Sequence, residues 1–370
     1  MIPTLAALLA ALLASAAGHA PLDPNAPYSA ARSNPVRVDV SFDIVFTPPY
    51  GAAEVAVWLP VPPDGAGQDV SGYAVEPAAA MGTDPLHGNR LAHVAFVKPL
   101  GAQMVRQRYT ATAYDLHWNV DPARVTRPLA WPASFEPYLR SEASVVVDDE
   151  IRGLAREIAG SEKNPALAAR AVMTWVLANM EYDHARCSLR ASSKFAAENR
   201  CGHCSDYHGL TTALVRALGV PARVTYGINL FQKNSPSHCK CEIFLPPYGW
   251  VSFDVSETQK LVAGIERDAT IAAAEKPRLR AKALDRLFGG FRDNTWLLLT
   301  RGTDFPLVPA SRARTPIVRT AYIEADGTPL PDPDPGNASE RAFAWMTLTR
   351  FDADRKVAYP FDLAAFLSGL

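Results

Sequence analysis

Between His238 and Ser256 the side chains alternate in a way that few chain arrangements can satisfy. The odd positions Cys239, Cys241, Ile243 and Leu245, then Val251, Phe253 and Val255, are apolar. The even positions His238, Lys240, Glu242, Ser252, Asp254 and Ser256 are polar. A period of two on both sides of Pro246-Pro247-Tyr248-Gly249 predicts a β-hairpin with strands Cys239 to Leu245 and Trp250 to Val255. Register then decides the chemistry. If paired residues have even-numbered sums, as an odd loop from Leu245 to Gly249 gives, His238 and Asp254 share a face. An even loop without a bulge turns Asp254 into the core. A carboxylate beside an imidazole fixes its tautomer and stabilises the imidazolium, so the pair reads as a base and its orienting group. Cys239 and Cys241, on the opposite face, read as small buried hydrophobes.

A histidine base needs a nucleophile, which usually comes from elsewhere in the sequence. Cys204 sits at the predicted start of a helix running to Gly219, where Leu210, Leu214 and Leu218 share a face and Pro221 forbids continuation. Unsatisfied amides and the macrodipole at that end favour a thiolate. The candidate catalytic residues are therefore Cys204 as nucleophile, His238 as base and Asp254 as the group that orients it. His203 and His208 are assigned no role, a solvent-facing or capping histidine being the commoner outcome. All five cysteines, Cys187, Cys201, Cys204, Cys239 and Cys241, fall in one window. The odd count leaves a thiol free unless it pairs between chains, and Cys187 with Cys201 forms the candidate disulfide.

Around this centre the chain divides by pattern. Met1 to Thr4 and a Leu/Ala run from Leu5 to Ala17 are too short for the ~20 apolar residues of a spanning helix. They fit a signal peptide over 1–20, although no Lys or Arg precedes the run. The expected location is therefore exported, periplasmic or secreted, with no stable membrane insertion. Val36, Val38, Val40, Phe42, Ile44 and Phe46 alternate with polar residues, one face buried and one wet. Further apolar runs at Val55 to Leu59 and Gln103 to Ala113 make 35–118 an antiparallel, sandwich-like β-domain. Residues 119–147, rich in Pro and Trp, read as a packed connector. Helices follow from an N-cap at Asp148-Asp149 until Gly160 ends the first, and from Pro165 to Met180, capped by Asn164. They open a catalytic domain over 148–312 whose strands include Val224 to Ile228. No function is read from 313–370. Its turn-rich loop from Gly327 to Gly336 holds Asp332 and Asp334 but lacks calcium-loop spacing, and reads as solvated. With 37 basic against 38 acidic residues the chain has no bulk field to attract nucleic acid.

Two segments also resemble a family. Cys204-Ser205-Asp206-Tyr207-His208-Gly209-Leu210, continuing to Gly219-Val220-Pro221-Ala222-Arg223, resembles the nucleophile segment of the transglutaminase-like superfamily. His238 to Pro246, followed by Tyr248-Gly249-Trp250-Val251 and Phe253-Asp254, resembles that family's histidine and aspartate strands. The resemblance extends more weakly to Val57-Trp58-Leu59-Pro60-Val61-Pro62 and to Leu287-Phe288-Gly289. It implies an α+β, papain-like fold with Cys204, His238 and Asp254 at the catalytic positions and Pro221 and Arg223 at structural ones. Members often carry Trp two residues after the histidine. Here Lys240 stands there, which predicts a changed cleft wall.

The expected activity is acyl transfer from an amide through a thioester, resolved by water (peptidase or deamidase) or by an amine (transglutaminase). The acyl donor would be a peptide, a protein or a cell-wall peptide, and the chemistry needs no metal or cofactor. Three rival readings fit the sequence less well. Cys201-Gly202-His203-Cys204 has the form of a thiol-disulfide oxidoreductase motif, yet no apolar strand precedes it. A zinc site from Cys201, Cys204, His238 and Cys239 would place the adjacent residues 238 and 239 on opposite strand faces. A binding module without turnover would not need Cys204, His238 and Asp254 intact.

Overall fold

The alternating segment near the N-terminus becomes β1 (Ala31–Phe46) in the computed structural model, which describes residues 22–231, 236–331 and 345–369. The expected leader lies outside the described residues, as do Asp332 and Asp334 of the turn-rich loop. Val36, Val38, Val40, Phe42, Ile44 and Phe46 are buried while Arg37 and Asp39 face outward. β2 (Glu54–Val61), β3 (Gln68–Glu76), β4 (Ala80–Thr83), β5 (Arg90–Val97) and β6 (Gln103–His117) follow. The first helix, α1 (Asp149–Ala159), starts where Asp148 accepts the Ile151 N–H at 2.9 Å. Asn164 caps α2 (Pro165–Asn179) through the Ala166 and Leu167 N–H groups. β7 (Glu181–Tyr182), α3 (Ser193–Asn199), β8 (Cys201–Gly202) and α4 (Cys204–Ala217) lead to β9 (Ala222–Asn229), β10 (Ser237–Leu245) and β11 (Gly249–Phe253). α5 (Val255–Arg267), α6 (Lys276–Gly289), β12 (Phe291–Arg292), β13 (Trp296–Arg301), β14 (Tyr322–Ala325), β15 (Thr328–Pro329), β16 (Trp345–Ala353) and α7 (Leu363–Ser368) complete the order.

The architecture is α+β. A four-stranded antiparallel sheet, β11-β10-β9-β13, carries helices on one face. There Leu210 and Leu214 of α4 share a core with Val224, Cys239, Cys241, Ile243 and Phe253. The opposite face is not wet. Phe135 and Tyr138 of the connector cover it, packing on Phe244 and Trp250, and its polar residues Lys240 and Glu242 are fully enclosed. Buried charges must then be paired, which sets the chemistry described below.

Two five-stranded sheets form the β unit, and the N-terminal strands do not build it alone. β16 pairs with β1 and β14 with β2, so the stretch after residue 313 supplies strands to both sheets. Ile228 of β9 and Leu297 and Leu299 of β13 enter the core between those sheets, beside Phe42 and Val57. The sheet that carries the candidate site is thereby anchored in the β unit. Among the described residues no helix is long and apolar enough to cross a membrane.

Candidate active site

Local rules place Cys204. His203 is the N-cap of α4: its Nδ1 accepts the Ser205 N–H at 3.2 Å, and the Asp206 carboxylate accepts the His203 N–H at 3.3 Å. This reciprocal cap explains the acidic position two residues after Cys204. Gly202 is required because a Cβ there would stand 2.5 Å from Asp206 Cβ. The histidine given no role is thus the fixed end of the helix, and Cys204 is held in its first turn, half-buried.

The hairpin has the even-sum register on which the sequence argument rested, with Leu245 opposite Gly249 and Cys241 opposite Phe253. One detail differs. The second strand ends at Phe253, not Val255, and Asp254 caps α5 by accepting the Glu257 N–H at 3.1 Å. Aspartate is a far better N-cap than strand residue, so the chain enters a helix where alternation predicted continued pairing. The other carboxylate oxygen, Oδ2, accepts from His238 Nε2 at 2.7 Å. That leaves Nδ1 of His238 for Cys204, which lies within its hydrogen-bonding reach. The imidazole is also fixed through its backbone, since the His238 carbonyl accepts from Trp296 Nε1 at 3.0 Å. The Trp296 ring lies against Gly227, the residue paired with His238. A Cβ on Gly227 would come within 2.5 Å of Trp296 Cε2.

The electrostatics follow from these contacts. The Cys204 thiol is held well below the ordinary thiol range, first by the hydrogen bond from Cys239, then, against burial, by the hydrogen bond and charge of His238. Burial works to lower the His238 pKa, but the charge and hydrogen bond of Asp254, with those of Cys204, carry it up to about 9. Burial likewise works against ionised Asp254, and the charges of Lys240 and His238 overcome it and hold the carboxyl well below its usual range. These contacts favour the thiolate of Cys204 and the imidazolium of His238 together.

Four neighbours were not legible as parts of this centre. Lys240 does not form the cleft wall that its place in the sequence suggested. It is buried behind the site, and its Nζ donates to Asp254 Oδ2 and to Asp293 Oδ2, both at 2.8 Å. Lys240 lies on the same strand face as His238, and that face is enclosed, so it turns to the carboxylates there. Cys239 is buried as expected for an apolar-face cysteine, yet its thiol reaches Cys204. His208 supports it. His208 Nε2 accepts the Val255 N–H at 3.1 Å, so the ring proton is on Nδ1, which lies 3.7 Å from Cys239 Sγ. Burial lowers the His208 pKa to about 4, keeping it neutral. Asp293, from the turn between β12 and β13, carried no motif that could have marked it.

A small cleft opens at Cys204, lined also by Tyr182, Ser205, Tyr226, His238, Cys239 and Arg319. The Cys204 backbone N–H lies within reach of the Tyr182 hydroxyl. Arg319 comes from the stretch to which the sequence gave no role. The candidate disulfide is not present: Cys187 and Cys201 are both unbridged. Cys187 Sγ lies 3.1 Å from the His184 carbonyl, and its sulfur clusters with His203 and Asp206, away from a bond to Cys201. Cys201 is buried, and burial raises its thiol pKa.

Known proteins agree with this geometry at the level of fold. Residues 152–255 match the family model described as the transglutaminase-like superfamily. A protein of Haemophilus influenzae, itself uncharacterized, is 27% identical over 236 residues, which cover 56% of this chain and 62% of that one. The chain thus spans less than two thirds of the length of the curated relative it matches. A solved structure from Cytophaga hutchinsonii, described as a candidate cysteine protease, aligns with a TM-score of 0.57 at 15% identity. That alignment covers 90% of this chain and 95% of the other, so the shared fold takes in the β unit as well as the helical core.

Proposed function

We propose that this chain, whose core belongs to the transglutaminase-like superfamily, is a cysteine enzyme that transfers an acyl group from an amide through a thioester on Cys204. The observation that carries the reading is the 2.7 Å hydrogen bond from His238 Nε2 to Asp254, which leaves the other ring nitrogen for Cys204. The thiolate attacks the amide carbonyl and the imidazolium gives its proton to the leaving amine. The neutral imidazole then takes a proton from water or from an acceptor amine, which attacks the thioester and frees the thiolate. Asp254 keeps the ring in the useful tautomer throughout. Peptides, proteins or cell-wall peptides are the proposed donors, and the apolar leader supports an exported enzyme.

The pH dependence has a definite sign. Acylation of an amide needs Cys204 ionised and His238 protonated. The rate should rise on an acid limb well below the ~8.5 of a free thiol and fall as pH passes about 9, where His238 loses its proton. The test is iodoacetamide alkylation across pH with mass-spectrometric mapping of all five thiols. Fast labelling confined to Cys204, slowed in His238→Ala, supports the reading. Slow labelling shared with Cys201, or a Cys201–Cys204 disulfide in untreated protein, would turn it toward the redox alternative. The buried, unbridged Cys201 stands against that alternative.

A further inference from the structure

The nucleophile has a second thiol at its side. Cys239 lies on β10 with 1% of its surface exposed, and it belongs to the core against which Cys204 packs. Two contacts fix where its sulfur points. Cys239 Sγ is 3.7 Å from His208 Nδ1, and His208 stands one turn after Cys204 on the same face of α4. The thiols of Cys239 and Cys204 are also within hydrogen-bonding reach of each other, and both residues line the cleft. Two other cysteines have different surroundings: Cys241 Sγ is 3.8 Å from the Phe253 carbonyl oxygen and Cys187 Sγ is 3.1 Å from that of His184. Cys204 is thus an activated, half-buried sulfur in a cleft, and its neighbour is a shielded thiol. That is the arrangement of a reacting and a resolving cysteine.

We infer that Cys204 and Cys239 are a reversible oxidation site, in which a hydroperoxide converts the pair to an intramolecular disulfide and stops acyl transfer until a thiol reductant reopens it. The thiolate of Cys204 attacks one oxygen of the hydroperoxide, and the O–O bond breaks. The sulfur is oxidised by two electrons to the sulfenic acid, and the leaving oxygen takes the imidazolium proton of His238. The sulfur of Cys239 then attacks the sulfur of Cys204: the S–S bond forms, the S–O bond breaks, and the Cys239 proton leaves with the hydroxyl as water. Cys239 is too enclosed to meet the oxidant first, so the disulfide forms only through Cys204. Its formation pre-empts the next step to the sulfinic acid, which thiols do not reverse. The inference rests on the reading of Cys204 as nucleophile.

The test uses the full reduced chain and excess hydrogen peroxide, with iodoacetamide labelling of Cys204 read before oxidation, after it, and after dithiothreitol. Peroxide should abolish labelling of wild-type Cys204, and dithiothreitol should restore it nearly in full. Non-reducing peptide mapping of the oxidised protein should find Cys204 joined to Cys239. In Cys239→Ala, taken against the variant's own untreated rate, the portion restored should fall about tenfold, with sulfinic acid on Cys204. Cys239→Ser should behave alike, and if neither variant folds the wild-type map decides. Sulfinic acid on wild-type Cys204 beside a free Cys239 thiol would overturn the pair, as would a Cys201–Cys204 disulfide or labelling that peroxide leaves untouched. Failure of iodoacetamide to label Cys204 in untreated protein would instead overturn the nucleophile assignment, so the two failures are distinguishable.

Discussion

Two ion clusters lie buried on the same face of β10, two residues apart, and they behave differently. At Glu242 the count is balanced. Arg223 gives Nε and Nη2 to the carboxylate, both at 2.7 Å, and lies 4.0 Å over the Trp250 ring. At Lys240 one ammonium is shared by two carboxylates, Asp254 and Asp293, and the three together carry a charge of -1. A buried deficit of that kind attracts a proton, and the nearest titratable group is His238, bonded to the same oxygen of Asp254. A balanced pair joins two neighbouring strands, β9 and β10, whereas an unbalanced triad raises the proton affinity of the residue beside it. Both cost desolvation, and only the second converts that cost into chemistry.

Breaking each cluster should separate the two roles. The largest effect belongs to Asp254→Asn, which keeps the shape but loses the tautomer control. Acylation by an amide substrate should fall on the order of 10³- to 10⁴-fold, with the fold retained by circular dichroism. A loss under tenfold would remove Asp254 from the mechanism. Next, Glu242→Gln strands the Arg223 guanidinium and should cost about 3–5 kcal/mol in denaturant unfolding. The pH profile of Cys204 labelling in the folded protein should stay where it is. A moved profile would mean that the balanced pair also tunes the site. Smallest is Lys240→Met. Without the ammonium, Asp254 and Asp293 act on His238 uncompensated, so the basic limb of amide acylation should move upward from about 9 by roughly one unit. A downward move would contradict the sign argued here.

Much of the centre was legible before any fold was known, and the reasons are local. Parity along 238–256 put His238 and Asp254 on one face on condition of an even-sum register, and the structure has that register. Cap chemistry gave the starts of α1 and α2. The same local logic misjudged Asp254, because strand alternation and helix capping compete there and capping wins. It also missed α3, whose short polar sequence has no apolar period long enough to read.

Other features belonged to no local signal. The direction of Lys240 depends on Asp293, 53 residues on, and on aromatic side chains that seal the sheet face. The thiol of Cys239 is apolar by pattern, and only the approach of α4 to β10 brings it to Cys204. Tyr226 and Arg319 line one cleft because β14 closes against β2 and carries the preceding segment there. The sequence by itself determined which residues could be nucleophile, base and orienting group, since period and capping act over a few residues. Tertiary structure alone decided which charges are buried together and what lines the cleft, because desolvation and Coulomb energies depend on distances between segments remote in the chain.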